Sequence, residues 1–91
     1  MPDPQLIETY KGYELWHSRA GSAGKTMQSG VDTFEWIDEL TRARRHLEVV
    51  YWGDPRGDAT PPDVEDMATR LRTIVDRNDF NGGKAYYPRY G

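Results

Sequence analysis

Cysteine is absent from this chain of 91 residues. A disulfide framework and a zinc site built on thiolates are therefore excluded, so packing or a partner subunit must hold the fold together. No apolar run approaches the ~18 residues of a membrane-spanning helix. The N-terminus also lacks the charged and then apolar pattern of a signal peptide. We therefore expect a cytoplasmic protein that makes no membrane contact.

Hydrophobic residues are scarce, at 36% of the chain, and acidic residues outnumber basic ones by fifteen to twelve. The resulting net charge of −3 disfavours a domain whose affinity rests on neutralising phosphates. Aromatic residues are plentiful, with three tryptophans, six tyrosines and two phenylalanines. We infer one small domain whose core depends on a few large side chains.

Two short runs near the N-terminus, residues 6–10 and 13–18, are rich in aromatic and β-favouring side chains. Lys11 and Gly12 separate them, and Gly12 can adopt the positive φ that a two-residue hairpin turn requires. The spacing therefore predicts a β-hairpin. Its register places Tyr10 opposite Tyr13, Glu8 opposite Leu15, and Ile7 opposite Trp16. Residues 25–31 are a weaker candidate for a third strand.

The remainder of the chain predicts two amphipathic helices. In residues 33–51 apolar positions recur at spacings of three and four, with Asp32 or Thr33 as the N-cap. These positions are Phe34, Ile37, Leu40, Ala43, Leu47, Val50 and Tyr51. Residues 47–52 would also make a good strand. A second helix follows Thr60, a cap-like residue, and two prolines that suit a first turn. Its apolar stripe comprises Val64, Met67, Ala68, Leu71, Ile74 and Val75.

Strands followed by helices indicate an α+β fold. We predict an N-terminal antiparallel β-hairpin or three-stranded meander packed against two amphipathic helices. Residues 1–83 would form this single α+β domain, and residues 84–91 an aromatic C-terminal tail. The sequence leaves open whether the tail docks on the domain or extends from it.

Residues 21–26, with the sequence Gly-Ser-Ala-Gly-Lys-Thr, resemble the end of a phosphate-binding loop. The full motif requires a glycine five positions before Gly24, where this chain has Arg19. It also requires a helix after Thr26, where Gly30 soon follows. We interpret the segment as a loop and expect no cofactor. The acidic residues around the second helix do not have the spacing of a Ca²⁺ loop, so no metal site is predicted.

The leading functional hypothesis is a small non-catalytic protein-interaction domain, a regulator or inhibitor that acts by contact, with a homodimer as one form of it. The chain carries more large aromatic side chains than a hairpin and two short helices readily bury. The predicted partner-binding residues are Trp16, Trp36, Trp52, Tyr86, Tyr87 and Tyr90. Small size and a modest core also suggest an accessory protein of a mobile element.

A first alternative is a nucleic-acid-binding protein. Residues 42–46 are the basic cluster of the chain, and the tail combines basic with aromatic side chains that could stack on unpaired bases. The residues for this function would be Arg42, Arg45, Lys84 and Arg89. Asp38 and Glu48 can neutralise part of the cluster, and the net charge repels a polyanion.

A second alternative is a small enzyme that uses His17 or His46 as its base at neutral pH. Neither histidine lies in a recognisable nucleophile motif, so we assign no catalytic residue.

Overall fold

The computed structural model describes residues 3–21, 29–53 and 60–80, and the backbone of residues 84–86. These residues form one five-stranded sheet and one helix. The elements are β1 (Gln5–Tyr10), β2 (Tyr13–Gly21), β3 (Ser29–Asp38), β4 (Arg44–Gly53), α1 (Val64–Asp76) and β5 (Lys84–Tyr86). The strands lie in chain order, with β1 to β4 antiparallel and β5 parallel to β4. The architecture is α+β.

The β1–β2 hairpin confirms the predicted turn. Lys11 and Gly12 both have positive φ, at 50° and 87°, which a primed two-residue turn requires. Tyr10 pairs with Tyr13 directly beside the turn, as predicted.

A bulge in β1 changes the register farther from the turn. Glu8 pairs with Leu15 as predicted, but the predicted pair of Ile7 with Trp16 is wrong, because Leu6 takes that place. The register shifts between Leu6 and Glu8, which gives β1 one extra residue. Ile7 consequently packs against the core, while Leu6 lies beside Trp16 on the other face of the sheet.

The prediction of two helices and at most three strands is wrong. Residues 33–51, predicted to be helical, instead contribute most of β3 and β4, which form an antiparallel hairpin. Leu40 would have belonged to the buried stripe of that helix, yet its side chain is 93% exposed at the turn. Aromatic and β-branched side chains on both sides of the turn favour strands. The alternative of a strand over residues 47–52 is confirmed by β4.

Asp38 ends β3 and starts the turn. Its Oδ1 accepts hydrogen bonds from the backbone N–H groups of Leu40 and Thr41, at 2.8 and 3.0 Å. An aspartate that binds its own backbone in this way favours a turn over continued regular structure. The backbone N–H of Asp38 donates to the backbone oxygen of Ala43 at 2.9 Å, which closes the turn.

Helix α1 confirms the second predicted helix. Its N-cap is Asp63 rather than Thr60, because Oδ1 of Asp63 accepts a hydrogen bond from the N–H of Asp66 at 3.0 Å. Its buried side chains all belong to the predicted stripe, and they are Met67, Ala68, Leu71 and Val75. Within the described ranges, no helix is long and apolar enough to cross a membrane.

The sheet has two faces of different character. Helix α1 covers the face that carries Leu15, Phe34, Trp36 and Val50, and together they form the core. Because side chains alternate along a strand, the residues between these point to the opposite face. No helix of the described residues covers this opposite face, which we call the open face. It comprises Leu6, Thr9, Glu14, Trp16, Ser18, Ala20, Val31, Thr33, Glu35, Ile37, Leu47, Val49 and Tyr51.

The C-terminal segment includes β5, whose three residues pair with Glu48, Val49 and Val50 of β4. Tyr87, Arg89 and Tyr90 lie outside the described residues, as do residues 22–26 of the segment that resembles a phosphate-binding loop. The division into a domain of residues 1–83 and a tail of residues 84–91 stays a prediction.

Candidate functional site

The three tryptophans lie in two different environments. Trp36 is fully buried, and its Nε1 donates to the backbone oxygen of Leu71 in α1 at 3.0 Å. Trp52 is 3% exposed, and its Nε1 donates to Oδ1 of Asp32 at 2.8 Å. Trp16 is half-buried on the open face. Of the three tryptophans, Trp16 is the one that the fold does not bury.

Apolar side chains extend across the open face from β1 to β4. Leu6 pairs with Trp16, Trp16 with Glu35, and Glu35 with Leu47, so one row crosses all four strands with Glu35 as its one charged member. Leu6 is 47% exposed and Tyr51 is 39% exposed, while Trp16 and Leu47 are half-buried. An antiparallel sheet that faces water on one side normally carries polar side chains there. The apolar content of this face therefore marks it as the candidate site.

A cavity of about 310 Å³ lies at one end of the open face. Its lining combines apolar side chains with one acid and one base, and consists of Pro4, Trp16, Glu35, Ile37 and Arg42. Pro4 precedes β1, and Arg42 belongs to the turn between β3 and β4. The cavity is thus assembled from the N-terminal residues, the sheet and the turn.

Glu14 fixes the side chains on one side of this cavity. Its Oε1 accepts hydrogen bonds from Nε1 of Trp16 at 3.0 Å and from Nη1 of Arg42 at 2.9 Å. The hydrogen bond from Trp16 lowers the pKa of Glu14, burial opposes it, and the hydrogen bond from Arg42 adds to the lowering. Glu14 therefore stays ionised at neutral pH and holds both partners in place.

The turn between β3 and β4 is attached to the neighbouring hairpin. The N–H of Glu39 donates to the backbone oxygen of Gly12 at 3.1 Å, which joins the two turns. The N–H of Arg42 donates to the oxygen of Asp38 at 2.9 Å, and Arg42 adopts a positive φ of 63°. The turn therefore holds Leu40 in a defined position at the cavity end of the sheet. The apolar spacing of the sequence predicted Leu40 to be buried in a helix, so it did not identify this residue as exposed.

The arginine cluster lies at this turn and at the start of β4 rather than on a helix. Arg42 pairs with Glu14 at 2.9 Å, and Arg44 with Glu35 at 3.8 Å. The guanidinium of Arg45 lies 4.7 Å from the centre of the Phe80 ring. Each arginine thus already has a partner within the chain. The side chains of Lys84 and Arg89 lie outside the described part of the structure, so of the four residues of the nucleic-acid hypothesis only Arg42 and Arg45 are placed.

Asp32, predicted to cap a helix, is a fully buried carboxylate in β3. Its oxygens lie 2.6 Å from Nε2 of His17 and 3.0 Å from Nε of Arg19, in addition to the contact with Trp52. Nη2 of Arg19 also donates to the backbone oxygen of Pro62 at 2.9 Å. The network joins β2, β3, β4 and the segment that leads into α1. Because donors occupy both oxygens, Asp32 acts as a fixed structural anion.

The charge of Asp32 predicts how stability depends on pH. Burial alone raises the pKa of Asp32, but the hydrogen bonds from Arg19, His17 and Trp52 outweigh burial and hold it below its usual value. In the unfolded chain the pKa returns to about 3.9. The stabilisation is therefore complete above that pH, and it is lost as the pH falls through the folded-state pKa. We expect the free energy of unfolding to decrease below a pH of about 4.

Urea unfolding at a series of pH values measures this dependence. Arg19→Gln removes the donor that lowers the pKa of Asp32 most, so the folded-state pKa rises towards its unfolded value and the loss of stability on acidification should be smaller. Asp32→Asn should show a flatter curve in the same range, because the titrating group is gone. Parallel curves for the wild type and both variants would contradict the role assigned to Asp32.

His46 occupies a second buried polar position on the covered face. It is 1% exposed, its Nε2 lies 2.7 Å from Oε1 of Glu48, and its Nδ1 has no hydrogen-bond partner among the described residues. Both histidines thus contact carboxylates, and their described contacts give the enzyme hypothesis no pair of nucleophile and base. The described residues also bring together no three histidine or acidic side chains that could hold a metal ion.

The candidate site is assigned from the geometry of the chain itself. That geometry is an apolar open face with Trp16 at its centre, a cavity beside Trp16, and Leu40 at the adjoining turn. No protein-family model, no curated protein and no solved structure matches the chain.

Proposed function

We propose that the chain is a non-catalytic protein-interaction domain, a regulator or inhibitor that acts by contact, and that the open face is its binding surface. The observation that carries the proposal is that, among the described residues, a helix covers only one face of the sheet. Helix α1 packs on one face, while apolar side chains centred on Trp16 remain on the other. A partner that covered them would gain about 25 cal/mol for each Å² of apolar surface removed from water.

The size of the open face supports a protein as the partner. Four strands spaced about 4.8 Å apart, each presenting about nine residues, give a surface of roughly 600 Å². A standard protein interface buries about 800 Å² on each partner. The face is therefore close to the area of a protein contact, and Trp16 is of the residue type that most often anchors one.

The pairing of the arginines supports a protein over a nucleic acid. Arg42 and Arg44 are held by Glu14 and Glu35, so binding to phosphates would first have to break two ion pairs. The net charge of −3 adds a long-range repulsion for any polyanion. The cytoplasmic location expected from the sequence remains part of the proposal.

The proposal is tested with a variant that removes the central aromatic ring and keeps the strand. Trp16→Thr replaces one strand-favouring residue of β2 with another, and Arg70→Ala is the matched control because Arg70 is exposed on α1, on the other side of the sheet. Each protein is immobilised, captured proteins are identified, and binding is then measured with each purified partner. We expect Trp16→Thr to weaken binding at least about tenfold and Arg70→Ala to leave it unchanged.

A salt series separates the proposal from its nucleic-acid alternative. Contact through an apolar face should persist as the salt concentration rises, whereas phosphate contacts weaken steeply. Equal capture by wild type and Trp16→Thr would count against the open face. Capture of nucleic acid that is lost as salt rises would favour the alternative.

A further inference from the structure

The turn between β3 and β4 carries a leucine that the folded chain leaves almost entirely in water. Leu40 is 93% exposed, against 47% for Leu6 and 39% for Tyr51, the other exposed large hydrophobic residues of the described ranges. An apolar side chain left in water contributes no burial free energy to the monomer. Leu40 therefore offers apolar area that the described residues leave open to a second molecule.

The backbone around Leu40 is fixed by several hydrogen bonds. Oδ1 of Asp38 accepts from the N–H groups of Leu40 and Thr41, and the N–H of Glu39 donates to Gly12 in the neighbouring turn. A side chain presented by a fixed turn loses less conformational entropy on binding than one on a flexible loop. The turn is thus suited to insert Leu40 into a partner.

A recess for such a side chain lies at the same end of the sheet. The cavity of about 310 Å³ has Trp16, Ile37 and Pro4 as its apolar lining. Ile37 precedes the turn, and Arg42 of the turn itself also lines the cavity. A projecting leucine and an apolar recess therefore stand side by side on one molecule.

We infer that the chain forms a two-fold symmetric homodimer in which Leu40 of each copy enters the Trp16 cavity of the other. This inference rests on the proposed function, because the cavity belongs to the open face. In a two-fold symmetric dimer each copy must carry both halves of the contact, here Leu40 and the cavity that receives it. The adjacency of Leu40 and the cavity satisfies that requirement, and the contact closes after two copies.

The charges at this end of the sheet are compatible with a second copy. Arg42 pairs with Glu14 and Arg44 pairs with Glu35, so neither sign accumulates when two such ends meet. Complete overlap of two open faces would bury roughly 1,200 Å² in total, at the lower limit of specific interfaces. The dimer is accordingly weak and depends on protein concentration.

Sedimentation velocity over a concentration series tests the dimer. Leu40→Ser changes a side chain that makes no contribution to the core, and Glu39→Ser is the matched control in the same turn. We expect the wild type and Glu39→Ser to shift from monomer to dimer as concentration rises. We expect Leu40→Ser to raise the dissociation constant at least about tenfold. A monomeric wild type throughout, or unchanged association of Leu40→Ser, overturns the inference.

Disulfide trapping tests the reciprocal geometry, and the absence of native cysteine keeps it free of background. Glu39→Cys places a thiol beside Leu40, and Pro4→Cys places one at the cavity. A mixture of the two variants should yield far more covalent dimer under mild oxidation than a mixture of Pro4→Cys with Thr69→Cys, which lies exposed on α1. Equal yields from both mixtures overturn the arrangement.

The two proposals fail in distinguishable ways. A wild-type chain that stays monomeric, yet captures another protein through Trp16, overturns the homodimer and supports the proposed function. Association that Leu40→Ser abolishes, together with capture that Trp16→Thr leaves unchanged, supports the turn contact and counts against the open face as the general binding surface.

Discussion

Replacing Asp32 with alanine is expected to lower the free energy of unfolding by about 3–5 kcal/mol. The substitution leaves the buried N–H of Trp52 and the partly exposed guanidinium of Arg19 without their carboxylate acceptor. A loss of this size is a large part of the about 5–15 kcal/mol that stabilises a typical domain. Urea unfolding followed by far-ultraviolet circular dichroism measures it.

Two variants serve as comparisons for Asp32→Ala. Asp32→Asn keeps one acceptor oxygen but loses the charge, so its loss should be smaller. Asp76→Asn removes an exposed carboxylate that accepts hydrogen bonds from Tyr10 and Lys11, and it should cost far less because exposed pairs contribute little. If Asp32→Ala and Asp76→Asn lost equal stability, the joining of three strands through Asp32 would be refuted.

Replacing Trp36 with alanine is expected to cost a similar amount, about 3–5 kcal/mol. Trp36 is fully buried between the sheet and α1, and its ring centroid lies 6.4 Å from that of Tyr10. Its removal leaves a cavity in the core and breaks the hydrogen bond to the backbone oxygen of Leu71. Urea unfolding again provides the measurement, and Trp36→Phe, which fills most of the space, should show an intermediate loss.

Trp16→Thr is the matched comparison for Trp36→Ala. Trp16 is half-buried on the open face, so its replacement should reduce the free energy of unfolding much less and reduce partner binding much more. The same residue type would then have opposite roles on the two faces of one sheet. A larger stability loss at Trp16 than at Trp36 would refute the assignment of faces.

Local signals were sufficient to predict two elements of the fold. Lys11 and Gly12 determine the first hairpin, because a two-residue turn with positive φ at both positions fixes the pairing beside it. Helix α1 was predicted because its apolar stripe faces one layer and its other side faces water. The bulge at Ile7 was not predictable, since it depends on packing against the core.

The β3–β4 hairpin was mistaken for a helix because both faces of these strands carry apolar side chains. Phe34 and Trp36 face α1 while Ile37 faces the other way, and this mixture reproduces a helical spacing. Strict alternation, which identifies a half-buried strand, is lost when both faces are apolar. The feature that obscured the strands is thus the feature that we assign to binding.

Part of the candidate site could be predicted from residue types alone. Trp16 was singled out as a large aromatic residue in a short hairpin, and the structure places it at the centre of the open face. Trp36 and Trp52 were singled out on the same grounds, but the fold buries both. Leu40 and Asp32 were missed, since the exposure of one and the burial of the other follow from the β3–β4 pairing.

Hydroxyl-radical footprinting of the wild-type chain, quantified by mass spectrometry, tests most directly whether one face is covered and the other is open for binding. One-sided cover of the sheet predicts faster oxidation of Trp16 than of Trp36 and Trp52 in dilute solution. It also predicts that oxidation of Trp16 slows once a partner or a second copy is bound. Oxidation of Trp36 or Trp52 as fast as that of Trp16 would contradict it.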